Sequence, residues 1–186
     1  MFTVILPTYN ERENLERFVR LLQKVFEDNG LDGHIIVADD SSPDGTGIIA
    51  DELATRYDNL SVVHRARKQG IGPAYVAGFK QALKTDTEFI FEMDCDFSHD
   101  PRNIPAFLEA VKKSDLVLGS RYVPGGRVAN WGLLRRLLIR RGGIYAHWIL
   151  GVPVRDLTGA HTCFRRPVLA QLALARLPPT GSGFHP

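Results

Sequence analysis

The sequence predicts one α/β domain built on a mostly parallel β-sheet with helices on both faces. Short β-rich apolar runs alternate with longer segments of helical periodicity over the first 120 residues. Strands that are separated by helices in this way pair in parallel, and the connecting helices cover the sheet. The chain has 186 residues, of which 44% are hydrophobic, so it can bury a core without help from disulfides or metals.

The chain is predicted to open with a strand, a helix and a second strand. Residues 2–6 are a short β-rich run that ends at Pro7, because proline cannot donate to a sheet. Residues 13–27 carry apolar side chains at spacings of three and four, which is typical of an amphipathic helix. Residues 34–38 are mostly apolar and stop at an acidic pair, so they are predicted as the second strand.

Turn residues then lead into a second helix. Residues 41–45 are dense in such residues, and Thr46 is the expected N-cap of a helix that runs to residue 57. Residues 60–63 are predicted as the third strand. Pro73 stands at the expected first position of a third helix, which ends near residue 84.

A fourth strand, a fourth helix and a fifth strand complete this part of the chain. Residues 88–93 are predicted as a strand that delivers two aspartates at its end. Asn103 is expected to cap a helix that runs to about residue 113. Residues 116–119 are predicted as another buried strand.

The last third differs in charge and composition. Residues 1–120 have a net charge of −7, whereas residues 121–186 carry ten arginines, no lysine and one acidic residue, a net charge of +9. Residues 157–166 are predicted as a polar loop leading to a strand, and residues 168–176 as a helix. We therefore expect the domain to span residues 1–176, followed by a loop-like tail over residues 177–186.

Polar and acidic clusters follow three of the predicted strands, at residues 8–11, 39–40 and 94–96. Since ligands bind at the carboxyl ends of parallel strands, these clusters should meet at one edge of the sheet. Asp94 and Asp96 would repel each other without a cation, and paired carboxylates suit Mg²⁺ or Mn²⁺; the alternative is that they cap the following helix. The pair at residues 39–40 could accept hydrogen bonds from a nucleoside, or simply form an Asx-turn.

Several function classes are disfavoured by missing motifs. The chain has no G-x-G-x-x-G or Walker A sequence, no H-E-x-x-H pair and no G-x-S-x-G elbow. Two cysteines are too few for a disulfide framework, and they suit a reducing cytosol. No run of apolar residues is long enough to span a bilayer, and the first residues do not have the pattern of a signal peptide. His99 follows the aspartate pair closely and is either a ligand contact or a surface loop residue.

Five short motifs in register resemble one family. They are P-T-Y-N-E at residues 7–11, D-D-S-S-P-D-G-T at 39–46, D-C-D-F-S-H at 94–99, G-S-R-Y at 119–122 and D-L-T-G at 156–159. Together they resemble the inverting family-2 glycosyltransferases, and more closely the polyprenyl-phosphate (dolichyl-phosphate) mannosyltransferases. The resemblance implies a Rossmann-like GT-A fold and the transfer of mannose from GDP-mannose to a polyprenyl (dolichyl) monophosphate, with inversion and metal assistance.

The resemblance also implies a set of site residues. Asp94 and Asp96 would hold Mg²⁺ or Mn²⁺, and Ser98 occupies a position that supplies a further metal ligand in some members of the family. Asp96 and Arg121 would be catalytic. The middle residue of the D-x-D motif is usually alanine and is Cys95 here, where contact would be through the backbone. The family also continues beyond the length of this chain, so we expect a truncation at the C-terminus. The implied donor-binding residues are Pro7, Tyr9, Glu11, Ala38, Asp40, Asp94, Cys95, Asp96 and Arg121.

The expected partners are GDP-mannose, a polyprenyl-phosphate acceptor and an anionic membrane surface, with no nucleic acid. Residues 131–150 mix apolar side chains with four arginines and could form an amphipathic helix on that surface, or one packed on the core of the protein. The expected location is cytoplasmic and peripheral, at the cytoplasmic face of a membrane. Two other functions stay open: transfer from a UDP-sugar to a lipid phosphate or a polysaccharide, and nucleotide binding without turnover.

Overall fold

The computed structural model describes residues 1–120 and 161–171, which form a six-stranded sheet flanked by helices. The strands are β1 (Phe2–Thr8), β2 (Gly33–Asp39), β3 (Leu60–His64), β4 (Phe89–Glu92), β5 (Leu116–Leu118) and β6 (Thr162–Arg165). The helices are α1 (Leu15–Asp28), α2 (Thr46–Arg56), α3 (Ile71–Ala82), α4 (Ile104–Val111) and α5 (Arg166–Gln171), with a 3₁₀ turn at Pro101–Asn103. Arg121, residues 131–150 and the expected tail lie outside the described residues.

The strand order β3-β2-β1-β4-β6-β5 confirms a mostly parallel sheet. The first four strands in this order are mutually parallel, whereas β6 lies antiparallel between β4 and β5. The strand predicted at residues 116–119 is confirmed as β5, but the prediction that it is buried was wrong. In the described sheet β5 is an end strand that pairs with β6, and 41% of Leu116 is exposed.

Two apolar clusters lie on opposite faces of the sheet, which confirms the predicted helices on both sides. Alternate residues of β1 point to different faces, since Val4 packs in the cluster that includes α1, α2 and α4, and Ile5 packs with α3 and α5. Phe18 and Phe79 are large contributions from the helices of the two faces. None of the helices in the described ranges is long and apolar enough to cross a membrane.

The cap of α2 and the start of α3 differ from the prediction. Gly45 is the N-cap of α2, with φ of 93°, and Thr46 is the first helical residue, so the capping role expected for Thr46 was wrong. The positive φ favours glycine at the cap, and the Asp44 side chain accepts the Thr46 N–H instead (3.0 Å). Similarly, α3 begins at Ile71 rather than at Pro73, after Gly70 with φ of 98°. Asn103 precedes α4 as expected but makes no side-chain capping bond.

The sheet order places the three polar clusters at one edge, as predicted. The strands β2, β1 and β4 are neighbours, with Thr8 aligned with Asp39 and Ile5 aligned with Glu92. All three strands are parallel, so their carboxyl ends lie side by side. The loops that leave these ends therefore form one continuous surface.

Candidate functional site

Pro7 marks the point where β1 and β4 separate at the carboxyl edge. The Ile5 carbonyl faces β4, where it accepts from Met93 N–H (3.2 Å), and the Thr8 carbonyl faces β2, where it accepts from Asp40 N–H (2.9 Å). By alternation, the position of Pro7 faces β4, on the side where the described pairing ends at Glu92. Proline has no N–H to donate there, so the hydrogen bonding between the two strands ends at Met93 and the chain after it leaves the sheet.

The loops after β1 and β2 are joined by hydrogen bonds between consecutive residues. Ser42 Oγ accepts from Asn10 N–H (3.1 Å), Thr46 Oγ1 accepts from Glu11 N–H (2.9 Å) and an Asp44 carboxylate oxygen accepts from Arg12 N–H (3.2 Å). The hydroxyl and carboxylate residues of the second motif thus hold the backbone of the first. This arrangement gives Tyr9 and Glu11 defined positions beside the ends of the strands.

The two adjacent aspartates at the end of β2 hold different loops. Asp39 accepts from the Ser42 hydroxyl (2.6 Å) and from Ser42 N–H (3.1 Å), three residues further on. The Asx-turn of this loop is made by Asp44 instead, which accepts from Thr46 N–H two residues on (3.0 Å). Asp40 faces the loop between β3 and α3, where it accepts from Gln69 N–H (2.8 Å) and Gly70 N–H (2.9 Å) and pairs with Arg65. Its side chain is 3% exposed, so its carboxylate is committed to that loop.

The loop held by Asp40 brings a cation to the predicted donor pocket. The Lys68 ammonium lies 3.7 Å from the centroid of the Tyr9 ring, which is the geometry of a cation–π contact. Because Tyr9 is fixed by the β1 loop and Lys68 by the β3–α3 loop, the two loops meet over this ring. A basic side chain at this place can contact an anionic ligand beside Tyr9.

Asp94 and Asp96 lie in a loop closed by its own side chains. Tyr75 on α3 donates its hydroxyl to Asp94 (2.8 Å), and the Asp94 N–H donates to His99 Nδ1 (3.0 Å). Asp96 is exposed and accepts from Ser98 N–H (2.8 Å). Burial raises the pKa of Tyr75 well above its usual value, and the carboxylates of Asp94 and Glu92 add to the shift, so this phenol stays a hydrogen-bond donor at neutral pH.

The residue between the two aspartates points into the core. Cys95 is 2% exposed and packs in the cluster with α1, and burial raises the pKa of its thiol, so it stays protonated. The next residue, Phe97, has φ of 64° and its ring packs edge-on against Phe18 at 5.3 Å. The inward cysteine and the constrained Phe97 leave the two carboxylates on the outer side of the loop.

The donor set at this loop fits a divalent cation that shares its coordination with phosphate oxygens and water. No ion pair engages Asp94 or Asp96 within residues 1–120 and 161–171, and these residues contain no group of three metal-binding side chains. Two carboxylates are an ordinary protein contribution to Mg²⁺ or Mn²⁺ bound with a nucleotide. A cavity of about 380 Å³ also lies at this edge, beside Ser41, Gly47 and His64, but residues 94–99 do not line it.

The predicted site residues divide into three groups in the structure. Tyr9, Glu11 and the aspartates lie in the loops at the carboxyl edge, whereas Pro7 and Ala38 are buried at the strand ends and Arg121 lies outside the described residues. Their roles toward a donor stay predictions. Sequence reasoning missed four residues whose contacts depend on the fold: Arg65, Lys68, Tyr75 and His161. The sequence signals only Arg65 and Lys68 among these four, because they belong to a basic run at residues 65–68.

The Glycosyl transferase family 2 model matches residues 3–172, which includes every strand of the described sheet except the first residue of β1. The chain belongs to this family. It is 43% identical over 184 residues to a polyprenol monophosphomannose synthase of Mycolicibacterium smegmatis, covering 98% of this chain and 68% of that protein. It is 39% identical to an undecaprenyl-phosphate mannosyltransferase of Micrococcus luteus, covering 97% and 73% of the two chains.

A solved structure supports the GT-A fold of this family member. The mannosyltransferase of Pyrobaculum calidifontis, in complex with GDP-mannose and Mn²⁺, matches with a TM-score of 0.60 at 20% identity. The match covers 92% of this chain and 46% of that one, so the chain spans less than half of that protein. The likeness confirms the predicted fold class.

Proposed function

We propose that this family-2 glycosyltransferase transfers mannose from GDP-mannose to a polyprenyl (dolichyl) monophosphate, with inversion at the sugar carbon. The observation that carries the proposal is the 43% identity to a polyprenol monophosphomannose synthase across 98% of this chain. That span contains the D-x-D loop, the two loops joined to each other at the sheet edge and the arginine-rich region. A GT-A mannosyltransferase with GDP-mannose and Mn²⁺ bound supports the choice of donor and of a divalent metal.

Asp94 and Asp96 are the proposed ligands of Mg²⁺ or Mn²⁺, and Asp96 is also a proposed catalytic residue. When bound, such an ion neutralises negative charge on the leaving diphosphate. Tyr75 orients the Asp94 carboxylate through a hydrogen bond of 2.8 Å, and the buried Cys95 side chain leaves only its backbone toward a donor. Arg121 is proposed to bind a phosphate, because its planar guanidinium matches phosphate oxygens.

The nucleoside part of the donor is proposed to lie beside Tyr9 and Glu11, with Pro7 and Ala38 forming the base of the pocket. Asp40 is proposed to act here by fixing the β3–α3 loop, because its carboxylate binds two N–H groups of that loop and Arg65. Lys68 would then stand next to the diphosphate or the base. Asp40 would thus support donor binding by holding this loop, in addition to making the nucleoside contact implied by the resemblance.

The acceptor needs little activation by the protein. A phosphate monoester has a second pKa of about 6, so at neutral pH it is already an oxyanion nucleophile. Arginines of the region after residue 120 are proposed to hold it, and residues 131–150 to contact an anionic membrane surface. The protein would then act at the cytoplasmic face of a membrane, as a peripheral protein.

The test is transfer of radiolabelled mannose from GDP-mannose to a short polyprenyl phosphate with Mn²⁺ or Mg²⁺, followed by organic extraction and NMR of the anomeric centre. We expect lipid-linked mannose of inverted configuration, and its loss in Asp96→Asn. The matched control Asp86→Asn changes an exposed aspartate that precedes β4 at the opposite edge of the sheet and should keep activity.

Two outcomes would contradict the proposal. Faster transfer from UDP-glucose or UDP-N-acetylglucosamine would assign a different donor. Binding of GDP-mannose with no product under either metal would favour nucleotide binding without turnover. Calorimetry of GDP binding by Asp96→Asn tests the metal site separately from turnover, since a metal-dependent donor site predicts that the affinity for GDP falls while the fold is retained.

A further inference from the structure

The Asp94 main chain leaves the sheet at a point where its N–H has no strand partner. The described pairing of β4 with β1 ends at Glu92, and the last bond across this gap is from Met93 N–H to the Ile5 carbonyl. The next amide, that of Asp94, donates to His99 Nδ1 at 3.0 Å. A side chain five residues along the loop thus takes over where the sheet stops.

His99 is held in this position by a column of three stacked rings. Its ring lies 5.1 Å from that of His161 with an angle of 19° between the planes, and His161 lies 4.3 Å from Phe107 at 20°. His161 immediately precedes β6 and is 6% exposed, while Phe107 lies on α4. The column therefore connects the D-x-D loop to two elements of the fixed core.

The contacts around the column leave little freedom for it to shift. Gly119 donates its N–H to the His161 carbonyl at 2.8 Å. A Cβ at Gly119 would lie 3.1 Å from that carbonyl oxygen and 3.1 Å from the Phe107 ring. The buried Nε2 of His161 has no hydrogen-bond partner in the described part of the chain, so this ring contributes through packing.

We propose that His99 is a positioning residue for the metal ligands, which fixes the Asp94 backbone through Nδ1 so that the Asp94 and Asp96 carboxylates face the cation together. The presence of a metal at these carboxylates rests on the proposed function. The positioning of Asp94 rests on the hydrogen bond from its amide to His99 and on the stacked rings. Partners that orient a metal ligand commonly change metal affinity by about 10- to 100-fold when they are removed. His99 would affect metal affinity in this way through its hydrogen bond with the Asp94 amide.

The hydrogen bond from the Asp94 amide also requires one particular tautomer of the neutral His99 ring. An amide N–H can only donate, so Nδ1 must carry the lone pair and the neutral ring must carry its proton on Nε2. Nitrogen NMR of the histidine side chains reads this tautomer directly in the unmodified chain. A proton on Nδ1 of His99 would overturn the proposal without any variant.

Two substitutions at this position separate the acceptor from the ring. His99→Phe keeps an aromatic ring for the stack on His161 and removes the acceptor, whereas His99→Asn keeps an acceptor close to the place of Nδ1. We expect Mn²⁺ affinity in the presence of GDP, measured by EPR, to fall about 10-fold or more in His99→Phe. His99→Asn should recover most of that affinity. The Asp94 amide should lose hydrogen-exchange protection in the first variant and keep it in the second.

The control is His34→Phe, at a partly buried histidine whose Nε2 lies 2.9 Å from Ser61 Oγ near the other end of the sheet. It should leave Mn²⁺ affinity unchanged. Wild-type Mn²⁺ affinity in His99→Phe, or an equal loss in the control, would overturn the positioning role. An unmodified chain that binds no Mn²⁺ with GDP would contradict the proposed metal-dependent function instead, while amide protection lost in His99→Phe and kept in His99→Asn would still support the positioning of Asp94.

Discussion

Neighbouring carboxylates at the sheet edge differ in what already surrounds them. Asp40 is buried and its oxygens accept from two backbone amides and Arg65, whereas Asp96 is exposed and accepts from one amide of its own loop. The contacts of Asp40 stabilise the β3–α3 loop, whereas the Asp96 carboxylate has an oxygen left for a ligand. Asp40 belongs to the motif at residues 39–46 and Asp96 to the motif at residues 94–99, and only the contacts show that the two carboxylates differ in this way.

The main expected effect of Asp40→Asn is a lower free energy of unfolding, rather than a direct change in the transfer reaction. The change leaves the Arg65 guanidinium, which is 10% exposed, without its carboxylate, and such a loss costs roughly 3 kcal/mol. Urea unfolding should show this loss. The control Asp51→Asn changes a carboxylate that lies 2.8 Å from His64 Nε2, at side chains that are 60% and 50% exposed, and should cost less than about 1 kcal/mol. Full stability with weakened GDP binding in Asp40→Asn would mean instead that the carboxylate contacts the nucleoside directly.

At the scale of elements, the joined β1 and β2 loops explain why the first two motifs occur together. Thr46 Oγ1 donates to Asp44 (2.6 Å) and accepts from Glu11 N–H (2.9 Å), and the residue is fully buried. One hydroxyl therefore connects the start of α2 to the loop that carries Tyr9 and Glu11. These contacts give the D-G-T end of the second motif a structural function beside the proposed donor pocket.

Thr46→Val tests this connection with little change of shape. It leaves the Glu11 N–H without its acceptor in a part-buried place, so we expect a loss of about 1–3 kcal/mol in the free energy of unfolding. GDP affinity should fall as well, because the Tyr9 loop is less fixed. Thr55→Val removes an exposed hydroxyl on the same helix, bonded to the Glu52 carbonyl, and should change stability by no more than about 0.5 kcal/mol. Equal effects of the two changes would contradict the connecting role.

The elements that could be predicted are those whose signal is local. The apolar spacing of α1 and the runs of β1, β2 and β4 defined the parallel core and the edge where the polar clusters meet. The antiparallel insertion of β6 between β4 and β5 could not be predicted, because it depends on pairing between residues far apart in sequence. The contact of Lys68 with Tyr9 also joins residues far apart in sequence. The contact of His99 with Asp94 spans only five residues, but it depends on the conformation of the loop, which the sequence pattern does not give.

The buried His161 ring, which packs between the start of β6 and α4, makes the stability of the fold sensitive to acid. Burial lowers the pKa of His161 to about 3, helped by the nearby His99 and opposed by Asp100. The unfolded chain therefore binds this proton near the ordinary pKa of about 6.5 and the folded chain does not, so stability is lost as pH falls below 6.5 toward 3. The slope from this group is about 1.4 kcal/mol per pH unit.

His161→Phe should remove this contribution while keeping a ring in the stack. Urea unfolding at pH 5, 6 and 7 measures it, and the unmodified chain should lose about 2 kcal/mol more than the variant between pH 7 and pH 5. Parallel pH profiles for the two proteins would show that His161 is protonated in the folded state at a higher pH than its burial implies.

For the whole molecule, charge is distributed unevenly along the chain. The first 120 residues have a net charge of −7 and contain the proposed donor site, and residues 121–186 have a net charge of +9. A divalent cation at Asp94 and Asp96 suits the acidic part, and a lipid phosphate suits the basic part. The two substrates of the proposed reaction thus correspond to two segments of opposite charge.

This distribution predicts salt-sensitive binding to anionic vesicles through residues 131–150. At about 100° per residue, Leu133, Leu137 and Ile144 fall on one side of a helix, with arginines mostly outside that sector. Each basic residue near an anionic surface gains roughly 1 kcal/mol, so changing Arg135, Arg136, Arg140 and Arg141 to Gln should greatly weaken co-sedimentation. A variant with Arg12, Arg17, Arg20 and Lys24 changed to Gln, in the acidic part, controls for total charge and should sediment like the unmodified chain. Binding to neither kind of vesicle would place the apolar side of residues 131–150 against the protein core, because a helix packed there has no apolar face left for lipid. Equal binding to neutral and anionic vesicles would contradict the electrostatic contact of the arginines.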